Sequence, residues 1–354
     1  MTATIASAGT IDVAALAAAR RRRGRRARIV TGVLGGSAAT LLVLSIMLGD
    51  TVYSPAQILG VVGGALTGTE ADGAFTIGTL RMPRAVMAVL AGFAFGIAGA
   101  TTQRLLRNPL ASPDIIGITW GSGAAASFAI VTLGLGGASV STIAVVAGLA
   151  VALVIYLLSR TGGLVGLRLV LIGIGVAAML RAVTLYVLSK APQWEEQEAM
   201  RWLAGSLNGA SWSTAAPAML ALVVLGPLLL VLARDLDVLR LGDDTASGLG
   251  VRVERTRLLV LVVAVGLLAF ATAATGPIAF VAFLAGPIAA RLVGTDRPLI
   301  VPAALIGALL VVVADFVGQY LLGTRFPVGV VTGVLGAPYL LFLIIRSNRA
   351  GGSP

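Results

Sequence analysis

The sequence contains neither cysteine nor histidine in its 354 residues. Without cysteine it can form no disulfide and no thiolate nucleophile. Without histidine it excludes Ser-His-Asp catalysis, histidine metal sites and histidine proton relays. Most classes of enzyme are therefore excluded, and no cofactor, metal site or catalytic residue is expected.

Lysine is almost absent, since Lys190 is the only one, and no glycine-rich phosphate loop precedes it. The motif G-x-x-x-x-G-K-[ST], whose backbone N–H groups and lysine hold nucleotide phosphates, does not occur. The chain thus has no ATP site of that type. Any energy from ATP must come from a partner.

Charged residues make up only 12% of the chain, hydrophobic residues make up 58%, and the mean hydropathy is +0.99. This composition leaves too little polar surface for a soluble globule, so a membrane protein is expected. The formal charge of +11 would suggest nucleic acid in a soluble protein, but no basic face interleaved with aromatic residues is visible.

Much of the positive charge precedes the first long apolar run. The arginines of this cluster are Arg20, Arg21, Arg22, Arg23, Arg25, Arg26 and Arg28. Such a cluster is typical of a cytoplasmic anchor beside anionic lipid. A signal peptide would place a small-residue cleavage site after a shorter run. We therefore interpret residues 1–28 as a basic cytoplasmic tail and the run as a retained helix.

An all-α membrane domain is predicted over residues 29–346, followed by a short tail at 347–354. A helix needs about 20 apolar residues to cross a hydrocarbon core of about 30 Å. Ten such segments occur, at approximately Ile29–Leu48, Ala85–Leu105, Ile115–Leu133, Ser141–Leu158, Leu164–Leu188, Thr214–Leu232, Leu258–Thr275, Ile278–Val293, Leu299–Leu322 and Val328–Ile345. The break at Gly276 and Pro277 decides whether two of them are separate helices.

Ten spans place both termini on one side of the membrane, and the basic residues indicate which side. With the termini in the cytoplasm, Arg181 lies within a span. Of the 26 basic residues, the five on outer segments are Arg81, Arg84, Lys190, Arg201 and Arg325. Most of the 26 basic residues then lie on the inner segments. Because basic residues are enriched on cytoplasmic loops, this distribution predicts cytoplasmic termini.

Several short motifs follow one another along the chain. Arg81-Met82-Pro83-Arg84 precedes the second span, where Pro83 favours a helix start, and glycines that permit close helix contact come next. The motifs are R-M-P-R at 81–84, Gly92, Gly96 and Gly99, R-N-P-L-A-S-P-D-I-I-G at 107–117, G-D-D-T-A at 242–246, L-G-V at 249–251, G-P-I at 276–278, A-D at 314–315, P-V-G-V-V-T at 327–332 and G-A-P at 336–338.

This order of motifs resembles that of permeases in the ferric-siderophore and cobalamin ABC import family, over roughly residues 29–346. The resemblance implies a ten-helix permease of the bacterial cytoplasmic membrane that works by alternating access and does not hydrolyse ATP. It also implies a second permease subunit (an identical copy or a paralogue), two cytoplasmic ATPase subunits and an extracytoplasmic siderophore-binding protein. The segment W-L-A-G-S-L-N-G at 202–209 most resembles permeases of the ferric enterobactin type, whose substrates are catecholate siderophores.

The resemblance assigns docking of the binding protein to Arg81 and Arg84. A third docking arginine of the family is replaced by Gln319, and whether Arg325 takes over is open. In a purely structural alternative, the two arginines anchor the helix end to lipid headgroups.

The loop at about 238–252 is predicted to couple the permease to the ATPase. In this loop Asp243 or Asp244 can cap a short helix and Gly250 can end it, so two short helices around Gly242 would form a compact knob. The resemblance assigns coupling to Gly242, Asp243, Ala246 and Gly250.

Charges and irregular backbone inside spans indicate a pathway, because a buried charge is costly and broken helices need a cavity or protein beside them. For Asp315, a structural partner is favoured over a ligand. The pathway candidates are Arg181, Gly173, Gly175, Asp315, Pro277 and Pro287.

Two other functions remain open from the sequence. A cobalamin or haem importer of the same family would share these motifs. An ion-coupled secondary transporter is disfavoured because such carriers place several ionisable groups at mid-membrane, where this chain offers Arg181 and Asp315.

Overall fold

The computed structural model describes residues 13–69, 71–113, 117–159, 165–294 and 298–351, and within these ranges it contains helices and no strand. The helices are α1 (Val13–Met47), α2 (Pro55–Thr67), α3 (Met82–Leu105, preceded by a π-helical segment, Phe75–Arg81), α4 (Ile118–Val131), α5 (Ala138–Ser159), α6 (Val165–Ser189), α7 (Gln193–Leu203), α8 (Trp212–Leu239), α9 (Asp243–Gly248), α10 (Val253–Thr275), α11 (Val281–Val293), α12 (Ile300–Tyr320) and α13 (Val328–Gly351).

Each of the ten predicted spans corresponds to one helix: α1, α3, α4, α5, α6, α8, α10, α11, α12 and α13. In the described ranges seven helices are long and apolar enough to cross a membrane, whereas α4, α11 and the apolar part of α13 are shorter. Ile115 and Leu164, where two predicted spans begin, lie outside the described residues. The sequence did not predict α2 and α7, which lie in the two longest segments expected on the outer side of the membrane, Gly49–Pro83 and Ser189–Ser213.

Within the described residues, the first and last helices extend into the predicted tails. Helix α1 begins at Val13, so the arginine cluster lies on the same helix as the apolar run that follows it. Helix α13 continues through the predicted tail to Gly351.

The predicted break at Gly276 is present, so α10 and α11 are separate helices. Gly276 has a φ of 69°, and a Cβ on it would collide with the Trp202 carbonyl. Glycine is the residue that accepts both constraints. Phe280 ends the irregular segment with a φ of 64°, a left-handed conformation that is strained for a residue with a side chain.

Helix α3 is the central element of the bundle, because it contacts α8, α10, α11 and α12 and is buried along most of its length. Its glycines permit this packing. A Cβ on Gly92 or Gly96 would collide with the backbone of α12, and one on Gly99 would collide with the Ala282 carbonyl of α11. The predicted close contact at these glycines is confirmed, and its partners are α12 and α11.

Pro287 lies inside α11 and does not interrupt it. Proline has no N–H, so the Phe283 carbonyl one turn earlier loses its helical donor. Gln103 of α3 replaces it, since its Nε2 donates to the Phe283 oxygen at 2.9 Å. Gly286 provides the space for this amide, because a Cβ there would collide with Gln103 Oε1.

We predict that Gly96→Val destabilises the protein by about 3 kcal/mol or prevents folding, because the new side chain would push α3 away from α12. Gly35→Val is the matched control, since a Cβ at Gly35 has no neighbour within 4 Å. The measurement is thermal unfolding of each purified variant in the same detergent. Equal unfolding temperatures would show that the two helices do not need this contact.

Candidate functional site

The candidate residues lie at the two ends of α3 and in a cavity beside the bundle. Arg84 opens α3 and Arg104 closes it, 20 residues later, which separates them by about 30 Å along the axis. That distance matches the hydrocarbon core of a bilayer. We refer to the Arg84 end and the Arg104 end of the bundle.

At the Arg84 end, an ion pair joins α3 to α12. Arg84 Nη2 and Nε lie 2.8 Å and 3.1 Å from the two carboxylate oxygens of Asp315, whose side chain is only 8% exposed. Asn208 Oδ1 accepts a bond from Arg84 Nη1 at 2.7 Å, and Gln319 Nε2 donates to Asp315 at 2.6 Å. The buried carboxylate is therefore both paired and hydrogen-bonded, as burial of a charge requires.

Arg81 holds a different helix. Its Nη1 donates to the carbonyls of Ile46 and Met47, at the end of α1, and its Nη2 donates to Thr51 at 2.7 Å. The guanidinium also stacks on Tyr53, 5.0 Å from the ring centre. These carbonyls have no helical donor, and a cation at a helix C-terminus is favourable. Arg81 thus fixes the end of α1.

Arg325 is the most solvent-accessible candidate at this end, with 72% of its side chain exposed. Its guanidinium lies 3.5 Å from Asp50, which is also exposed. Exposed pairs of this kind contribute little to stability, so Arg325 can exchange its partner easily.

A cavity of about 550 Å³ lies beside the irregular segment between α10 and α11. Pro277, Phe280 and Phe283 line it from that side, Trp120 of α4 lines it from the other, and the surface is mostly apolar. Ser206 N donates to the Thr275 carbonyl at 2.7 Å, which holds the irregular segment in place.

The predicted pathway residues are not all brought together. Pro277 lines this cavity, whereas Pro287 lines a second one near Arg104. Gly173 is buried where α6 passes Gly117, and Gly175 faces open space. Arg181 is exposed on α6 and stacks on Trp120, with 5.6 Å between its guanidinium carbon and the ring centre.

At the Arg104 end, the 238–252 loop forms a knob, which we define as residues 241–250. Gly242 and Gly250 have φ values of 108° and 86°, which allow the chain to enter and leave α9 sharply. Ala246 is fully buried under the knob. Leu241 and Leu249 project from it, each 63% exposed.

Asp243 does not cap α9 as predicted, because no side-chain cap is present at its N-terminus. Its carboxylate instead binds Arg107 Nη2 at 2.8 Å and Arg257 Nη2 at 2.8 Å. Arg107 also donates to the Leu239 carbonyl. The prediction of two short helices is half correct, since α9 is present but the chain before Gly242 is the end of α8.

Sequence reasoning missed four of the residues that build these sites. Arg107 and Asn208 lie within the motifs R-N-P-L and W-L-A-G-S-L-N-G, so these motifs could have indicated that both residues have a role. No sequence motif indicated the roles of Trp120 and Gln103, because each role depends on a contact between helices that are distant in sequence.

A bundle of apolar helices with charges at both ends and a broken helix beside a cavity defines a multi-pass membrane transport protein. The model of the FecCD transport family matches residues 37–346. The chain belongs to this family, and it is accordingly the permease subunit of an ATP-binding-cassette importer, in which separate subunits hydrolyse ATP.

Individual relatives agree with this assignment. The ferric enterobactin transport system permease protein FepG of Escherichia coli (strain K12) is 43% identical over 270 residues, which cover 76% of this chain and 82% of FepG. The achromobactin transport system permease protein CbrC of Dickeya dadantii (strain 3937) is 39% identical over 340 residues, covering 93% and 96% of the two chains.

A solved structure has the same fold. It is described as a metal-chelate type ABC transporter in an inward-facing conformation, and it superposes with a TM-score of 0.78 at 25% identity. The match covers 90% of this chain and 99% of that one.

We predict that Arg84→Met destabilises the protein by about 3 kcal/mol, because Asp315 would remain buried without its cation. The double variant Arg84→Met/Asp315→Leu should recover part of this loss, since no unpaired charge is left. Arg325→Met, which removes an exposed arginine at the same end, should change stability by less than about 0.5 kcal/mol. Unfolding in detergent measures all three. A double variant less stable than Arg84→Met would refute the explanation.

Proposed function

We propose that this permease imports ferric siderophores, with catecholate chelates as the favoured class. The observation that carries the proposal is the 43% identity to FepG, which is named as a permease for ferric enterobactin. The likeness to CbrC, named for achromobactin, supports the wider siderophore assignment.

We infer the topology from charge and helix length together. Ten helices match the predicted spans, and the arginine cluster on α1 favours a cytoplasmic N-terminus. In this arrangement the Arg84 end faces outward and the Arg104 end faces the cytoplasm, in a bacterial cytoplasmic membrane.

The proposed assembly contains this chain, a second permease subunit that is identical or paralogous, two ATPase subunits and an extracytoplasmic binding protein. Docking of the binding protein is assigned to Arg84, which is partly exposed, and to Arg81, whose Nε and second Nη2 hydrogen are not used in its bonds to the described residues. The exposed Arg325 extends this surface and supplies the charge that Gln319 lacks.

Transport through the permease follows alternating access in this proposal. The loaded binding protein docks at the Arg84 end and releases the chelate towards the cavity beside Pro277. ATP-driven motion of the partner then reaches the bundle through the knob. Gly242, Asp243, Ala246 and Gly250 shape the knob, and its apolar tip provides the contact.

The proposed substrate is tested by deleting the gene for this chain and measuring uptake of radioactive iron from ferric enterobactin. We expect uptake to be lost and to return with the intact gene. Cobalamin and haem uptake are measured in the same cells. Loss of either, with ferric siderophore uptake intact, would favour the alternative substrate. Uptake that persists without ATP but requires an ion gradient would favour a secondary transporter.

We predict that Leu241→Asp/Leu249→Asp weakens binding of the ATPase subunit at least tenfold, equivalent to about 1.4 kcal/mol. Both side chains are exposed on the knob, so the change should leave the fold intact. Leu133→Asp, in an exposed turn after α4, is the matched control. Titration of the purified permease with its ATPase measures affinity. Unchanged affinity would mean that the knob is not the coupling element.

A further inference from the structure

Arg181 occupies an unusual position for a charged side chain. It lies on α6, 16 residues from Val165 and 8 residues from Ser189, hence about 12 Å from the nearer end. The side chain is exposed, and among the described residues it forms no ion pair. An arginine facing lipid at that depth is costly, so this face of α6 is expected to adjoin water or protein.

Trp120 connects Arg181 to the cavity. The indole is half-buried, lines the 550 Å³ space, and carries the guanidinium over its ring. Phe280 and Phe283 also line this space and meet edge to face, with ring centres 6.3 Å apart and planes at 85°. The cavity is thus lined by three aromatic rings, and Arg181, which does not line it, reaches it only through the Trp120 ring that its guanidinium covers.

The wall formed by Phe280 is held in a fixed position. Its φ of 64° is strained, and its ring lies against Gly336, where a Cβ would collide with it. Strained residues persist when the surroundings determine them, and they are concentrated at functional sites. Gly329 N also donates to the Gly205 carbonyl at 3.0 Å, which fixes the neighbouring wall.

This combination selects a particular ligand chemistry. Aromatic rings attract other rings through offset or edge contacts, and a cation near a protein surface attracts an anion more strongly than it would in bulk water. A ferric catecholate presents aromatic rings on its surface and has a net negative charge. A ferric citrate complex shares the negative charge but has no rings, so it could not make these ring contacts.

We infer that Trp120 and Arg181 form a recognition element for an anionic aromatic iron chelate on its way through the permease, Trp120 by ring contact and Arg181 by charge. This inference rests on the proposed siderophore function and adds to it the two residues that would recognise a catecholate chelate. The ferric chelate is the ligand of this site, and the cavity beside Pro277 is the space that it enters.

The test uses the complete importer in proteoliposomes, with saturating binding protein loaded with ferric enterobactin. We expect Trp120→Leu to lower the transport rate about tenfold and Trp120→Phe, which keeps a ring, to stay within about threefold of wild type. Arg181→Met should lower the rate about tenfold, and Arg181→Lys should restore part of it. Trp194→Leu is the matched control, because Trp194 is exposed on α7.

ATPase activity and unfolding temperature are measured for every variant, so that a folding defect is recognised. Full transport by Trp120→Leu overturns the inference, and so does equal loss in Trp120→Leu and Trp120→Phe. A wild-type importer that carries ferric citrate but no catecholate also overturns it, while leaving iron-chelate import intact. A wild-type importer that carries no ferric chelate refutes the proposed function itself.

Discussion

The backbone contact of α3 with α11 and α12 positions the charged residues at both ends of the bundle. Within a bilayer the lipid tails are as apolar as leucine, so helices associate through close packing of small residues. Gly92, Gly96 and Gly99 bring α3 so near its neighbours that even a methyl group would collide with backbone. Residues at both ends of α3 are thereby placed within reach of α8, α11 and α12.

The charges of the bundle follow from that placement. Arg84 meets Asp315 at one end of α3, and Arg104 meets Asp237 of α8 at 2.6 Å near the other. The stretch between them is apolar and glycine-rich, which is the arrangement expected of a helix that crosses hydrocarbon with its ions at the two interfaces. Arg181 departs from this arrangement, and Trp120 is the ring that covers its guanidinium.

Helices were predictable because their apolar runs are long and are bounded by charge, proline or glycine. Even the break at Gly276 was visible, since a glycine and a proline together interrupt helical hydrogen bonding. Helices α2 and α7 were missed because only apolar runs long enough to span a membrane were sought: α7 carries three glutamates, and the apolar run of α2 is interrupted by three glycines. Side-chain partners were harder to predict, because Arg84 and Asp315 are 231 positions apart in sequence. Motif order indicated that Arg81 and Arg84 mattered, but only packing shows that Arg81 secures α1 whereas Arg84 secures α12.

Asp243 is shared between Arg107, in the turn after α3, and Arg257, on α10. One carboxylate with two cations remains paired when either cation moves away. The pairs are partly exposed, so exchange between them costs little. The knob is thereby linked through one side chain to both the α3 turn and α10. Asp243 is in this sense a junction at which three segments of the chain meet.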